Sequence, residues 1–273
     1  MISIIDLFGS LFINLKLFFI ALLLLSNSCE IGALAASTPK NASAPYIVVL
    51  DPGHGGSDVG AQNKALLEKD IALAIATRVG RVLKDRKYWA PLGRKVKVIF
   101  TREKDVDVSL EARAAVAHEN HADLFVSIHC NSEATGTVRG VETYFLNNTD
   151  DSSNQKLAQI ENKNSKKYAN TKPQDLTLRS VAIDSMIDAS KQAAYLIHTS
   201  LLQHLERADT PLKSRGMKQA LLYVLLDAQT PAVLLEPAFI SHKSDAAFLA
   251  QGENRQKIAE GIAIGILRFL ALR

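Results

Sequence analysis

The stretch Ile47-Val-Val-Leu-Asp51-Pro-Gly-His54-Gly-Gly-Ser-Asp-Val-Gly60 carries the clearest structural signal in the chain. Its apolar, β-branched first half does not alternate with polar residues, which predicts a strand buried on both faces of a parallel sheet. The proline and glycines that follow stop the strand and let the backbone approach whatever His54 faces. Neither a Gly-Lys-Ser/Thr nor a G-x-G-x-x-G spacing is present, so we do not predict a nucleotide loop. A histidine at the carboxyl end of a parallel strand is better explained as a metal ligand or a catalytic base.

The first 36 residues have the features of a signal peptide. Residues 17–25 form an apolar core of suitable length, Lys16 precedes it, and Ala33-Leu34-Ala35 matches the A-x-A pattern of a signal peptidase site. We predict a signal peptide over 1–36, with an uncleaved membrane anchor as the alternative, and a polar linker over 37–45. The protein is therefore predicted to be exported to the periplasm or the cell envelope.

The composition fits one globular domain behind this leader. The chain has 273 residues, 47% of them hydrophobic and 22% charged, with a formal net charge of +4. A mildly basic exported domain suits an anionic envelope polymer, although solubility alone also explains such a charge. Basic and aromatic residues do not interleave, so no nucleic-acid partner is predicted. Cys29 lies in the leader, which leaves Cys130 alone and excludes an intramolecular disulfide in the mature chain.

Hydrophobic periodicity predicts strands that alternate with helices from residue 46 onward. The predicted strands are Tyr46–Leu50, Val96–Thr101, Asp123–His129, an edge strand Gly140–Leu146, Leu221–Leu225 and Ala232–Glu236. The predicted helices cover 67–87, 110–120, 176–207 and 255–273. This order predicts a single α/β domain over 46–273, built on an open, twisted, mostly parallel sheet with helices on both faces. The polar stretch at about 147–175 is predicted to be an insertion into that domain.

Three of the buried strands end in a residue that can bind a metal. These residues are His54, His129 and Glu236, and Glu68 opens the helix after the first strand. The carboxyl ends of parallel strands lie along one edge of the sheet. Two imidazoles and a carboxylate form a catalytic zinc set with a position left for water, whose pKa zinc lowers to about 7. A second carboxylate could transfer protons, but the spacing alone does not say which glutamate is the ligand.

Motifs in a fixed order along the chain resemble zinc-dependent N-acetylmuramoyl-L-alanine amidases of the type 3 class. These motifs are Asp51–Gly56, Gly60-Ala61, Glu68-Lys69, Thr101-Arg102 with Asp105, Arg113, Ala122–His129, Gly140–Tyr144, Lys218–Ala220, and Pro231–Glu236 with Phe239–Ser241. A single hexapeptide would be modest evidence, whereas the ordered set is specific. The resemblance extends from residue 46 to about residue 270.

The resemblance implies a reaction and a role for each site residue. The reaction is hydrolysis of the amide between N-acetylmuramic acid and the L-alanine of the stem peptide in peptidoglycan, during cell-wall remodelling and cell separation. His54, Glu68 and His129 would hold Zn²⁺, and Glu236 would be the catalytic acid and base. Cys130 stands where an alanine is usual, and we expect a buried residue on the opposite face rather than a further ligand.

The polar insertion resembles the regulatory segment of amidases that act in daughter-cell separation. In those relatives a helix can cover the zinc, and a glutamate from the segment takes the open position. Glu161 is the acidic residue in the middle of the insertion, which makes it the predicted autoinhibitory gate. A solvated loop carboxylate is the alternative. A gate would require an activator protein that shifts it.

Two other functions fit parts of the sequence. Ser153-Asn-Gln-Lys156 matches the S-x-x-K pattern of penicillin-sensitive enzymes and suggests a serine carboxypeptidase, although no Lys-Thr-Gly follows and the stretch is predicted to be a loop. A peptidoglycan-binding module without catalysis would need a missing ligand, whereas all four positions are filled. Arg102 and Arg113 are predicted to be structural. The sequence therefore favours a zinc amidase.

Overall fold

The computed structural model of the protein describes residues 44–64, 66–165, 167–168, 184–208 and 212–273. The predicted signal peptide at 1–36 and most of the predicted linker lie outside the described residues, so both stay predictions. Among the helices that are described, none combines the length and the apolar character that crossing a bilayer requires.

A central sheet is built from six strands. These are β1 (Tyr46–Pro52), β4 (Val96–Phe100), β5 (Leu124–Ile128), β6 (Val141–Leu146), β7 (Ser214–Ala220) and β8 (Ala232–Glu236). They lie in the order β4-β1-β5-β8-β6-β7. The first four in that order are parallel, whereas β6 pairs antiparallel with β8 and parallel with β7. Two short strands, β2 (Gln62–Asn63) and β3 (Leu66–Leu67), form a separate hairpin. The predicted α/β fold with a mostly parallel sheet is confirmed.

Helices pack on both faces of this sheet. They are α1 (Glu68–Lys84), α2 (Arg86–Trp89), α3 (Leu110–Glu119), α4 (Ser152–Asn162), α5 (Asp184–Arg207), α6 (Tyr223–Leu226), α7 (Lys243–Ala250) and α8 (Gly252–Leu270), with a 3-10 turn at Ala90–Leu92. Successive strand residues point to opposite faces, so Val48 and Leu50 enter one core and Val49 enters the other. The larger core contains α1, α5 and α8, and the smaller core contains α3, α4 and α6.

Two predicted strands differ from the structure. Leu221–Leu225 is not a strand, because β7 ends at Ala220 and the apolar residues after it form the short helix α6, buried in the smaller core. The partly exposed, polar sequence of β7 gave no alternating signal, since β7 is the edge strand on this side of the sheet. Gly140–Leu146 was predicted to be an edge strand, yet β6 lies between β8 and β7 and is buried throughout.

The polar insertion contains a helix where a loop was predicted. Asp151 begins α4 by accepting hydrogen bonds from the backbone N–H groups of Ser153 (2.9 Å) and Asn154 (3.0 Å). An aspartate at this position stabilises a helix by satisfying donors of the first turn. The apolar residues Leu157 and Ala158 then fix α4 to the smaller core. This helix brings the middle of the insertion to the carboxyl edge of the sheet.

Candidate metal centre

The turn after β1 orients His54 by an unusual backbone conformation. His54 has a φ of 56°, and Gly55 and Gly56 follow with φ of 127° and 59°. A non-glycine residue in the left-handed region costs about 1–3 kcal/mol and persists only where its surroundings fix it. A Cβ on Gly55 would overlap the carbonyl of Val106, so this turn requires glycine.

Two buried arginines hold this turn in its conformation. Arg102 donates to the carbonyl oxygens of Pro52 (3.0 Å) and Gly53 (2.7 Å). Arg113 donates to those of Pro52 (2.7 Å) and His54 (2.5 Å). Both guanidinium groups therefore satisfy the carbonyls of the turn, and their predicted structural role agrees with these contacts.

Four side chains converge at the carboxyl edge of the sheet. The turn after β1 supplies His54, the first residue of α1 supplies Glu68, the end of β5 supplies His129, and α4 supplies Glu161. One donor atom from each lies within 4.8 Å of the others. Glu68 Oε1 is 3.1 Å from both His54 Nε2 and His129 Nδ1. Glu161 Oε2 is 3.1 Å from His129 Nδ1 and 3.6 Å from His54 Nε2.

Hydrogen bonds from neighbouring groups orient these donors. Asp58 Oδ2 lies 2.9 Å from His54 Nδ1, which leaves Nε2 facing the cluster. The backbone N–H of Ala61 donates to Glu68 Oε2 (2.7 Å), and that of Cys130 donates to Oε1 (2.9 Å). Such partners fix the orientation of a ligand and raise its basicity.

Two glycines make room for the cluster. A Cβ on Gly53 would overlap the imidazole of His129. A Cβ on Gly60 would lie 2.6 Å from both Glu68 Oε2 and the His54 ring. Both motif glycines are therefore needed because the backbone touches the ligands directly.

The electrostatics of the cluster favour a positive charge at its centre. Burial alone would lower the pKa of each histidine, but the charge of Glu68 and the hydrogen bond to Asp58 together outweigh burial and raise the pKa of His54 to about 9. Glu161 and Glu68 likewise raise the pKa of His129 to about 10. Burial would raise the pKa of Glu68, yet the two imidazoles hold it well below its usual range. A cation at this point would take the place of those protons.

Glu236 lies beside the cluster at the end of β8. Its carboxyl group is buried, and neither oxygen has a hydrogen-bond partner among the described residues. The N–H of His129 donates to the carbonyl of Leu235 (2.9 Å), which sets Glu236 next to the cluster at the carboxyl edge of the sheet. Burial, followed by the charges of Glu68 and Glu161, raises the pKa of Glu236 well above its usual value. A buried carboxyl group without a partner fits a proton carrier better than a structural residue.

Glu161 divides the space at the site. A cavity of about 420 Å³ lies on the side of β6 and β7, and a cavity of about 520 Å³ lies on the side of α3. Glu161 and His54 line both cavities. The carboxylate that was predicted to act as a gate is thus a member of the cluster. It lies between the two cavities that lead to the cluster.

The residues that follow Glu161 bind the chain back to the domain, and we refer to residues 162–165 and 167–168 as the docking segment. Asn162 donates to the carbonyl of Leu221 (2.7 Å) and accepts from the N–H of Tyr223 (2.9 Å). Asn164 donates to Asp58 Oδ2 (2.9 Å), the same oxygen that faces His54. These bonds fix the end of α4 above the site.

The far end of the docking segment is held by two carboxylates. The hydroxyl of Ser165 donates to Glu111 Oε1 (2.9 Å). The hydroxyl of Tyr168 donates to Asp227 Oδ1 (2.5 Å), and Lys167 Nζ lies 2.8 Å from the same oxygen. The contacts of Lys167 are solvent-exposed, whereas Tyr168 is buried in the smaller core, where its ring packs 4.5 Å from that of Tyr223.

The remaining predicted residues lie apart from the cluster. The hydroxyl of Ser153 donates to Asp151 Oδ1 (2.5 Å), and Ser153 is exposed, as is Lys156. No hydrogen bond joins Ser153 to Lys156 in the described part of the chain, so a serine mechanism stays a prediction. Cys130 is buried in the larger core, and the described donor set does not include it.

The fold and the cluster define an α/β enzyme with a metal-capable site at the carboxyl edge of its sheet. Residues 48–268 match the family model described as N-acetylmuramoyl-L-alanine amidase (Amidase_3). The chain therefore belongs to this family. It is an N-acetylmuramoyl-L-alanine amidase that acts on peptidoglycan. This confirms the prediction of an enzyme over the alternative of a binding module without catalysis.

Individual relatives agree with this assignment. The amidase AmiA of Escherichia coli (strain K12) is 32% identical over 236 residues, which cover 84% of this chain and 78% of AmiA. The solved structure of AmiC2 of Nostoc punctiforme is 30% identical, with a TM-score of 0.62 and coverage of 84% of this chain and 98% of AmiC2. The catalytic domain of CwlV from Bacillus (Paenibacillus) polymyxa var. colistinus has the same TM-score at 26% identity, covering 84% of this chain and 99% of that domain.

Sequence reasoning missed two polar residues next to the cluster. Asp58 follows His54 by four residues in the same turn. That spacing could have indicated a carboxylate that orients the imidazole of His54. Glu142 is a carboxylate inside a buried strand, which by itself points to an ion pair or a site. Neither residue lies at the carboxyl end of a predicted strand, the position from which the metal ligands are predicted.

Proposed function

We propose that the metal is Zn²⁺ and that His54, Glu68 and His129 hold it. The observation that carries the proposal is the donor set, in which imidazole nitrogens and carboxylate oxygens lie within 4.8 Å of one another. Catalytic zinc sites use three such protein ligands and keep a further position open.

The residues fit this ion in two further respects. His54 Nε2 is buried and faces Glu68 Oε1 at 3.1 Å without the geometry of a hydrogen bond, as expected for two atoms that bind one metal ion. Its other ring nitrogen is oriented by Asp58, the arrangement typical of metal-ligating histidines. When bound, Zn²⁺ supplies Lewis-acid polarisation of a carbonyl and lowers the pKa of a water ligand.

Glu236 is the proton carrier of the reaction in this proposal. The amide is cleaved by water, and the L-alanine nitrogen must gain a proton as the C–N bond breaks. Glu236 accepts a proton from the attacking water and delivers it to that nitrogen, which is general acid–base catalysis by one group. Its burial keeps other proton donors away, and the absence of a hydrogen-bond partner leaves its oxygens available.

We further propose that Glu161 is an autoinhibitory gate. Its carboxylate lies at the point from which water and the scissile carbonyl would approach, and it separates the two cavities. The docking segment holds it there through exposed or half-buried polar contacts and through the buried ring of Tyr168, and an activator protein could replace both kinds of contact. A partner that binds α4 better in a displaced position would shift the enzyme toward the open state.

The cellular role that we propose is cell-wall remodelling and daughter-cell separation in the cell envelope. The predicted leader at 1–36 supports export, and the substrate is an extracytoplasmic polymer. A gate suits this setting, because an amidase that is always open would damage the wall that contains it.

A chelation experiment on peptidoglycan sacculi tests the zinc assignment. The full chain is incubated with sacculi before and after treatment with a chelator, and the released peptides are identified by mass spectrometry. We expect stem peptides that begin with L-alanine, their loss after chelation, and recovery with Zn²⁺. Release that is unaffected by a chelator would reject zinc while leaving the amidase activity in place.

A further inference from the structure

A second charged cluster is formed around Glu142 on β6. Glu142 Oε1 lies 2.6 Å from Lys218 Nζ and 2.7 Å from Arg215 Nε. Its Oε2 accepts hydrogen bonds from Asn131 Nδ2 (2.8 Å) and the Tyr144 hydroxyl (2.7 Å). Burial would raise the pKa of Glu142, but these partners lower it, so the carboxylate is ionised. One negative charge therefore faces two cations, and one positive charge is left over.

This cluster lies next to the reaction centre. Glu142 is paired in register with Glu236, and Asn131 follows His129 by two residues. Strands are about 4.8 Å apart, so β7, two strands from β8, lies roughly 10 Å across the sheet from Glu236. An extended peptide spans about 3.3–3.6 Å per residue. A stem peptide cleaved beside Glu236 therefore reaches the cations within two or three residues.

The two cations face the cavity and retain donors. Arg215 and Lys218 both line the 420 Å³ cavity, with side chains that are 38% and 18% exposed. Arg215 donates to Glu142 through Nε. Its two Nη groups have no hydrogen-bond acceptor among the described residues, so they can donate to a ligand. A cation held in place by a buried carboxylate has lost little freedom when a second anion binds, so the site is preorganised.

The cavity on the other side of Glu161 has a different charge. Asp58 and Asp107 lie in its wall, and the buried Arg113 there is already paired with Asp51 (2.7 Å). An anionic ligand would meet like charges on that side. The asymmetry favours the β7 side for a carboxylate-bearing peptide and leaves the opposite side for the uncharged hydroxyls of the glycan.

We propose that Arg215 and Lys218, positioned by Glu142, bind the α-carboxylate of the glutamate at the second position of the stem peptide and so determine which stems are cleaved. The inference rests on the amidase reaction at the metal centre and adds the direction in which the peptide leaves it. The feature that points to a ligand is the position of the two cations, which line the cavity beside Glu236 and carry more positive charge than Glu142 alone neutralises.

The test compares two substrates that differ in one charge. Soluble glycan strands carry L-alanyl-γ-D-glutamyl-L-lysine stems whose glutamate α-carboxylate is either free or converted to a carboxamide. The full chain is assayed with Glu161→Ala included, so that the gate does not limit access. We expect the free carboxylate to give a kcat/KM about 10- to 100-fold higher, the range of a charge-assisted hydrogen bond.

Single variants show which side chains cause the preference for the free carboxylate. Lys218→Met and Arg215→Met each leave Glu142 one cation, and each should reduce the ratio several-fold, mainly through KM for the free carboxylate. Lys218→Arg should retain the preference. Lys97→Met is the matched control, because Lys97 is an exposed lysine on the opposite edge strand β4, and its ratio should equal that of the parent.

The outcomes separate the inference from the function on which it rests. Equal cleavage of both substrates by the parent chain, or an unchanged ratio in both methionine variants, would overturn the inference and leave the amidase intact. Failure to release any stem peptide, from these strands or from sacculi, would instead count against the proposed function. The ratio is also measured in the unsubstituted chain through its slower basal cleavage, so the test does not depend on the stability of any substituted protein.

Discussion

The metal-capable cluster combines two regions that are held in different ways. His54, Glu68 and His129 come from the ends of buried strands and the start of α1, which are elements packed into the larger core of the domain. Glu161 comes from α4, a helix of 11 residues whose buried apolar residues are Leu157 and Ala158. The first three donors cannot leave without unfolding the sheet, whereas the fourth requires only the displacement of one peripheral helix.

This difference suggests how one site can be both rigid and regulated. Burial of Leu157 and Ala158, together with Tyr168 of the docking segment, contributes several kcal/mol at roughly 25 cal/mol per Å² of apolar area. A binding partner can supply that amount if it prefers the displaced helix by the same free energy. The strand-borne ligands would then keep the ion, while α4 controls access to it. Substitutions in the two regions should therefore have opposite effects on activity.

The largest effect is expected for the strand-borne ligands. His129→Ala removes a donor that nothing else can replace, so bound zinc and activity should disappear together, by more than the roughly 10²–10⁴-fold of a lost acid–base group. Metal analysis of the purified protein and peptide release from sacculi measure the two quantities. His118→Ala, an exposed histidine on α3, is the control and should change neither. Full zinc content in His129→Ala would refute the ligand assignment.

Glu236→Gln should separate catalysis from metal binding. The substitution keeps size and removes the proton carrier, so turnover should fall by about 10²–10⁴-fold while zinc content stays constant. Steady-state release of stem peptide, combined with metal analysis, checks both statements. Unchanged turnover would mean that another group carries the proton.

Glu161→Ala should act in the opposite direction. Removal of a charged ligand from the open position should raise basal activity about 10- to 100-fold, the range that one charge-assisted interaction corresponds to. Zinc content should remain that of the parent. Gln159→Ala, an exposed residue on the same helix, should have no effect. A joint loss of zinc and activity would make Glu161 a resident ligand and end the distinction between the two regions.

Tyr168→Phe should weaken the docking segment more gently. The variant loses one hydrogen bond to Asp227, worth about 0.5–1.5 kcal/mol, so basal activity should rise about 2- to 10-fold. Tyr195→Phe provides the control, since Tyr195 is 57% exposed on α5. An unchanged rate in Tyr168→Phe would show that Asp227 does not help to hold the gate.

The smallest effect concerns the stability of the sheet-held region. Burial lowers the pKa of His198, whose ring nitrogens lie 2.9 Å from the Thr143 hydroxyl and 2.8 Å from the Ser214 hydroxyl. In the unfolded chain His198 binds a proton below about pH 6.5, whereas in the folded chain it does so only at lower pH. The contribution of His198 to stability is therefore fully present above about pH 6.5 and is lost as the pH falls. The loss is at most about 1.4 kcal/mol per pH unit.

Thermal unfolding between pH 7.5 and 5.5 measures this contribution. His198→Gln should flatten the decline of Tm in that interval. Tyr195→Phe, an exposed position on the same helix that is not a histidine, is the control and should keep the decline of the unsubstituted protein. An identical pH dependence in the two variants would remove His198 as its cause.

Much of the fold could be predicted because its signals are local. The unbroken apolar runs of β1, β5 and β8 indicate buried parallel strands, and the helical spacing in α1 and α8 indicates the layers that cover them. The exceptions are β6 and β7. Their register depends on partners distant in sequence, and Glu142 and Thr143 are polar although fully buried, so their pattern resembled that of an edge.

The sequence alone determined that His54, His129 and Glu236 share one edge of a parallel sheet, because strand direction follows from the order of strands and helices. It also assigned the family, through motifs whose order is a property of the chain itself. Only the tertiary structure decided that α4 inserts Glu161 between the two histidines, and that Arg215 and Lys218 share Glu142. Both arrangements arise from segments that meet through packing rather than through sequence spacing, since a helix and an edge strand can each approach a site from many directions.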